Sequence, residues 1–333
     1  VIPPITWLQL SLNQATITTS KAARRVPEPT GTVNPLSLLN RYRLEAFHAH
    51  CALVDQLFLK PWAHQLSQQQ PKSQQRRSWN CVMVDDRPSQ QARICILNTL
   101  LMTRLQAQVS VYTTTAQAEA FAELLAPLKP WVEVQTIGGA SQQQLGWGGY
   151  NQLLKSEHFW HCLTGEQILI FQPDALLIQP LELNQLHFSY AGPPWNKGRI
   201  TSCEFPVYNR NGEWTSNEWI NQALCQSVPD TNNGNGGLSI RNRKLMQQIC
   251  ADQAETSSDA EAEDIFFARH LHSGDYEVNL PSQQELRQLF NETSYTDSHG
   301  FHGSWFYLDA SEQAKLYEKH AKHIIGILKG LSA

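Results

Sequence analysis

Between residues 79 and 137 strand-like and helix-like segments alternate without a break: "NCVMVDD", "QVSVYTT" and "WVEVQTI" read as strands, "SQQARICILNTLLMTRL" and "AQAEAFAELLAPL" as helices. Strands joined through helices are crossover-connected, which makes them parallel neighbours in one sheet with helices packed on its faces. The alternation therefore predicts an α/β architecture, a Rossmann-like sheet flanked by helices. In such open sheets ligands bind outside the carboxyl ends of the strands.

A further strand opens "QILIFQPDALLIQP", Gln167 to Pro180. "ILIF" is a buried run, yet Gln172, Pro173 and Asp174 follow it directly. Pro173 lacks a backbone donor and helps to stop the ladder, leaving Asp174 over a cleft. A carboxylate there suits a hard divalent cation that screens phosphates, whereas the ordinary alternative is a turn or capping aspartate.

Four later stretches could carry chemistry. "TNNGNGGLSIR" sets Asn235, Gly236 and Gly237 ahead of a short strand, where glycine permits close backbone approach and amides can donate to hydroxyls or phosphates; an ordinary tight turn fits equally well. "EAEDIFFARHL" places Glu263 and Asp264 at a helix start. The unsatisfied amides there favour carboxylates, and an acid aimed into a cleft can also serve as a general base. In "SHGFHGSWFY", His299 and His302 lie among glycines and aromatics, able to complete a metal or phosphate site or to be plain loop histidines. "YAGPPWNKG" puts Trp195 in a loop, as a sugar platform or a hydrophobic plug.

Composition narrows the function classes. With 333 residues, 41% hydrophobic and a formal charge of −4, the chain has apolar material for one large or two small domains and lacks the concentrated Lys and Arg that nucleic acid requires. No apolar run reaches the roughly 18 residues of a spanning helix. "VIPPITWLQLSLNQ" has no basic flank or small-residue cleavage site, so a cytoplasmic location is expected. Seven scattered cysteines without a Cys-x-x-Cys pair read as reduced and mostly buried.

Three segments are expected: an N-terminal extension over 1–78, a main domain over 79–310 and a C-terminal helix over 311–333. In the extension an arm precedes a helix capped by Asn34, with Pro35 in its first turn, a stripe at Leu39, Tyr42, Ala46, Ala49, Leu53 and Leu57, and an end at Pro61. A Gln-rich linker, His64 to Ser78, follows. The last helix shows a capping box at Asp309 and Glu312 and a stripe through Ala314, Tyr317, Ala321, Ile324, Ile325 and Leu328. The pairs His158/His161 and His320/His323 are assigned to the surface, as is the basic face "KLYEKHAKH".

The order of these signals resembles the GT-A glycosyltransferases. More closely, "VMVDDRPSQQARICILNTL", "YNQLLKSEHFW", "ILIFQPDALLI", "YAGPPW", "GNGGLSIR", "EDIFFAR" and "GFHGSW" are similar to an uncharacterised glycosyltransferase-like domain family, over roughly residues 79 to 308. The resemblance implies that Asp174 is the second acid of a metal motif whose first place is held here by Gln172. It also implies that Gly236 and Gly237 form a glycine loop, that Asp264 is the base and that His302, rather than His299, is a late metal-binding histidine. Asp85 and Arg87 in "VDDRPS" would contact the donor nucleotide, and Trp195 and Asn235 would lie near the sugar or acceptor. The implied activity is transfer of a hexose from a nucleotide-diphosphate donor, a UDP-sugar, to an acceptor hydroxyl with inversion, assisted by Mn2+ or Mg2+. One carboxylate and an amide bind a cation more weakly than two carboxylates, so Gln172 bears on metal dependence. A sugar nucleotidyltransferase and a catalytically silent glycan-binding module are the rival readings. Partner binding, homo-oligomerisation and shielding of the acceptor are the roles open to residues 1–78.

Overall fold

The computed structural model describes residues 35–69, 78–137, 144–194, 207–208, 214–215, 234–254 and 261–331. The chain forms two compact units, Val1–Leu38 and Leu39–Ala333, and the description below is of the second. In chain order the elements are α1 (Pro35–Val54), a π-helical turn (Asp55–Leu59), α2 (Lys60–Ser67), β1 (Trp79–Val84), α3 (Gln90–Met102), β2 (Gln108–Thr113), α4 (Ala118–Leu124), β3 (Val132–Thr136), α5 (Gly146–Leu154), α6 (Glu157–Cys162), β4 (Gln167–Phe171) and β5 (Ala175–Leu177). They continue with β6 (Tyr190–Ala191), β7 (Val207–Tyr208), β8 (Trp214–Thr215), β9 (Leu238–Asn242), α7 (Arg243–Asp252), α8 (Glu263–Leu271), α9 (Gln283–Leu289), β10 (Phe290–Asn291), β11 (Gly300–His302), α10 (Ser304–Tyr307) and α11 (Ala310–Leu331).

Six strands form the main sheet in the order β3-β2-β1-β4-β9-β6. β3, β2, β1 and β4 are parallel, while β9 runs antiparallel to β4 and β6 antiparallel to β9. This is the Rossmann-like mixed sheet flanked by helices that the sequence leads one to expect. Alternate residues of β1 point to opposite faces: Cys81 and Met83 join a core with α1, α2, α3 and α11, Val82 and Val84 a core with α6, α7 and α8. Strands buried on both faces carry apolar residues without interruption, as "NCVMV" and "ILIF" do. Each fully buried aliphatic side chain in them contributes about 1.5–3 kcal/mol.

The topology gathers the candidate residues at one edge. β1 and β4 point their carboxyl ends there, delivering Asp85 and Gln172–Asp174. Because β9 is antiparallel to β4, with Phe171 opposite Leu238, its amino end brings Gly236 and Gly237 to the same edge. In a second, three-stranded sheet β11 pairs antiparallel with β5, and His302 lies opposite Ala175, one residue from Asp174.

The terminal helices depart from the sequence reading. Helix continues past Pro61 because the wide turn at Asp55–Leu59 resets the register and places Pro61 in the first turn of α2, where its missing N–H costs little. The residues of the supposed linker up to Ser67 are therefore helical. The face of α1 that joins the core carries Phe47, Cys51 and Val54, and the expected stripe faces outward, with Leu39 42%, Tyr42 63%, Leu53 46% and Leu57 54% exposed. α11 has its capping box, Asp309 accepting from the Glu312 amide at 2.9 Å and Glu312 from the Asp309 amide at 3.1 Å. Its buried positions are Gln313, Leu316, His320 and Ile324. His320, expected at the surface, is held inside by hydrogen bonds to His50 at 2.9 Å and Asn98 at 2.8 Å. The Asn98 amide group in turn clamps both backbone groups of Leu177, at 3.0 and 2.9 Å.

Candidate active site

The loop after β4 is fixed from behind. The Pro173 carbonyl accepts from Gln91 Nε2 at 3.0 Å and from the Cys95 thiol at 2.8 Å, both on α3. The Gln172 amide donates to the Gly237 carbonyl at 2.9 Å, tying this loop to the strap ahead of β9. Asp174 is thereby presented with its side chain 35% exposed.

His302 is the hub of the cluster. Its Nε2 lies 3.1 Å from Gln172 Oε1 and 3.5 Å from Asp174 Oδ1, and its Nδ1 lies 3.2 Å from Glu292 Oε1. Burial opposes the charged ring, but Asp174 and Glu292 outweigh it and hold the imidazolium up to about 10. Reciprocally, the His302 charge and hydrogen bond keep Asp174 below the usual carboxylate range against the cost of burial. The other histidine of the motif, His299, is directed at the Pro180 carbonyl, 2.6 Å away.

Asp264 stands at the start of α8. Its carboxylate accepts from the Gly236 amide at 3.2 Å and from the Ile265 amide at 2.8 Å. Burial, followed by the neighbouring Glu263 charge, raises its pKa to about 7 despite those donors. A carboxyl poised near neutrality is suited to accept a proton. Its field reaches the hydroxyls of Tyr150 on α5, Tyr190 on β6 and Tyr307 on α10.

Glu263, the other carboxylate named by the sequence, is committed elsewhere. Arg241 on β9 grips it through Nη1 at 2.5 Å and Nη2 at 2.9 Å, and the two side chains are 0% and 4% exposed. The same guanidinium donates to Ser239 Oγ at 2.9 Å and to the Gly236 carbonyl at 3.2 Å, and it lies 4.6 Å from the Tyr190 ring and 5.5 Å from that of Phe267. Clamped through both oxygens and 4% exposed, Glu263 is turned into the protein and not toward solvent.

The glycines serve packing more than ligand contact. A Cβ on Gly236 would collide with Glu263 and Arg241, and one on Gly237 with His302. Their amides, expected as donors to a sugar or phosphate, are already engaged: that of Gly236 by Asp264, that of Gly237 by Asn235 Oδ1 at 2.7 Å. Asn235 thus closes a local turn. Trp195 lies outside the described residues. Asp85, 4% exposed, accepts from the Arg87 backbone at 2.7 Å and side chain at 3.0 and 2.7 Å, which leaves the guanidinium 76% exposed at the same edge.

Among the described residues no group of three or more His, Cys, Asp and Glu could hold a metal ion. Asp174, the Gln172 amide oxygen and His302 Nε2 converge, and Glu292 orients the ring from its other nitrogen in the manner of ligand histidines. A hard cation takes six or so ligands, so this set fits one only if a bound diphosphate and water supply the remainder. Sequence reasoning missed Arg241, Glu292, Gln91 and Cys95. Arg241 follows directly on "GNGGLSI", and a lone arginine in a buried strand was the available signal.

A family profile described as "Protein of unknown function (DUF5672)" matches residues 140–303, just under half of the chain. No curated protein matches. Among solved structures the chain is similar to a mannosyltransferase of Pyrobaculum calidifontis in complex with GDP-Man and Mn2+, at 14% identity and TM-score 0.31, over 64% of this chain and 58% of that one. It is similar to the apo glycosyltransferase GlyE of Streptococcus pneumoniae, at 8% identity and TM-score 0.42, over 75% and 62% of the two chains. An inositol-1-phosphate CTP transferase from T. maritima gives 10% identity and TM-score 0.39, over 74% and 95%. The chain thus spans less than two thirds of either glycosyltransferase. The profile takes in Asp174, Gly236, Gly237, Asp264 and His302, so the resemblance to an uncharacterised family read from those motifs is met by a family of that description.

Proposed function

We propose that the chain is a glycosyltransferase that moves a sugar from a nucleoside-diphosphate donor, UDP in the expected case, to an acceptor hydroxyl. The observation that supports this reading is the meeting, at one sheet edge, of a carboxyl titrating near 7, Asp264, and the Asp174–His302–Gln172 cluster. Asp264 takes the proton of the acceptor hydroxyl, whose oxygen bonds to the anomeric carbon as the bond to the diphosphate breaks; the nucleoside diphosphate leaves with the electron pair and the anomeric carbon inverts. Arg87, anchored by Asp85 and exposed, would meet the phosphates. A divalent cation shared by Asp174, His302 and the diphosphate would supply Lewis-acid stabilisation of the leaving group.

A second reading of the leaving-group site follows from the hydrogen bonds of His302. Acceptors stand at both ring nitrogens, Glu292 at one and Gln172 with Asp174 at the other, which suits an imidazolium that itself faces the diphosphate. Activity that survives chelation of metal supports this version; activity that requires Mn2+ or Mg2+ supports the shared cation.

A panel of nucleotide sugars, assayed with and without Mn2+ for release of nucleoside diphosphate and of pyrophosphate, tests the proposal. Nucleoside diphosphate release that depends on Asp264 is the expected result. Pyrophosphate release indicates nucleotidyl transfer instead, and no turnover of any donor under either condition sinks the reading.

A further inference from the structure

α1 has two apolar faces, and the described residues cover one. Phe47, Cys51 and Val54 enter the core, while Leu39, Tyr42, Ala46, Ala49, Leu53 and Leu57 stand exposed on the other side. From residue 39 to 53 the exposed positions follow each other at steps of three and four, the spacing that keeps a seam turned toward a partner helix. A solvated helix face carries polar residues. This one breaks that rule over the length of the helix.

We infer that a second copy of this chain packs its own α1 on this face. The stripe is close to palindromic: large side chains at Leu39 and Tyr42, small ones at Ala46 and Ala49, large ones again at Leu53 and Leu57. Two such helices related by a twofold axis cross where the alanines let the backbones approach, and the large residues of each flank the other, which is the self-complementarity an isologous contact requires. Beyond α1 and the turn that follows it, the large exposed hydrophobics among the described residues are Trp147 and Leu331, the latter lining a groove with Trp62, Leu100, Leu101, Leu105 and Ile327, so the choice of partner rests on the near-palindrome of the stripe itself. Charge on the exposed side is mixed, with Arg41 and Glu45 beside the seam, so like copies are not driven apart. The inference does not depend on the glycosyltransferase reading. One helix pair makes a small interface, so a dissociation constant in the micromolar range is expected.

Sedimentation velocity of the full chain from about 1 to 100 µM reads the outcome. A reversible monomer–dimer equilibrium is expected, with Leu53→Glu and Ala46→Arg each raising the dissociation constant at least about tenfold. Both sites are exposed in the monomer, so the thermal midpoint of the dilute variants stays where the wild type's is. Ala46→Cys, beside the crossing point, gains an interchain disulfide under mild oxidation that the wild type does not form. A chain that stays monomeric across the range overturns the inference. So does a dimer indifferent to both charged substitutions and uncrosslinked by Ala46→Cys, or a monomer that binds phosphatidylcholine–phosphatidylserine vesicles through the same stripe.

Discussion

Arg241 and Arg87 each grip a carboxylate with two nitrogens, and the two pairs differ in what they leave over. Arg241 and Glu263 are 0% and 4% exposed; Arg87 and Asp85 are 76% and 3% exposed. In the first pair every donor has a protein acceptor or an aromatic face, and its work is to join the Gly236 strap to the start of α8 so that the Gly236 amide meets Asp264. In the second the acid is buried and the cation is not, so a buried anchor holds a guanidinium outward. An arginine–carboxylate pair is therefore closed inside the protein at β9 and leaves its cation in solvent at β1, and burial of the arginine is what decides.

The largest consequence of that difference lies at Arg241. Arg241→Met leaves Glu263 buried without a partner and is expected to cost about 3–5 kcal/mol in urea unfolding, enough to empty the folded state of a marginal domain. Asp264→Asn should keep the fold and lower kcat by about 10²- to 10⁴-fold with the donor affinity retained. The same variant carries a signature in stability. Asp264 binds its proton more tightly folded, at about 7, than in the open chain, near 3.8, so its favourable contribution is complete below 3.8 and lost as pH rises through about 7. Asp264→Asn removes that loss and should be the more stable chain above pH 7, with the gap closed near 3.8. Arg87→Ala should weaken donor binding about tenfold, more at low salt than at high, and, by taking two of the three Arg87 donors from the buried Asp85 carboxylate, cost about 1–3 kcal/mol in unfolding. Glu263→Gln is the subtlest: with the neighbouring negative charge gone, the acidic limb of kcat/KM should move to lower pH. A limb that stays put would place the control of Asp264 in burial alone.

The parallel half of the sheet was legible because its helices and strands have the periods of their elements and its strands are buried on both faces. Asp174, Asp264 and His302 were legible as acids and a histidine at element ends, and the fold brings each to the one edge. What the sequence hides is direction. The stripe at Leu39 and Tyr42 and the core face at Phe47 and Cys51 are both apolar, and periodicity alone does not say which one enters the core. Glu263 and Asp264 are adjacent acids at the same helix start, and the distinction between them is made by Arg241, 22 positions earlier, across a strand-to-helix packing that local pattern does not encode. Gly236 and Gly237 suggested open backbone for a ligand, whereas the space a Cβ would fill is taken by Glu263, Arg241 and His302. Gly237→Ala, expected to cost about 1–3 kcal/mol by displacing His302, would register that difference.

The central claim is that Asp264 accepts the acceptor's proton while the cluster around His302 holds the leaving diphosphate. Its most direct test is the pH dependence of kcat/KM for whichever nucleotide sugar turns over, in wild type and in Asp264→Asn, with donor affinity measured on the same samples. A wild-type acidic limb near pH 7 that disappears in the variant, together with a rate loss of at least about 100-fold and unchanged donor affinity, is the result expected. Full transfer activity in Asp264→Asn, with the acidic limb intact, would contradict it.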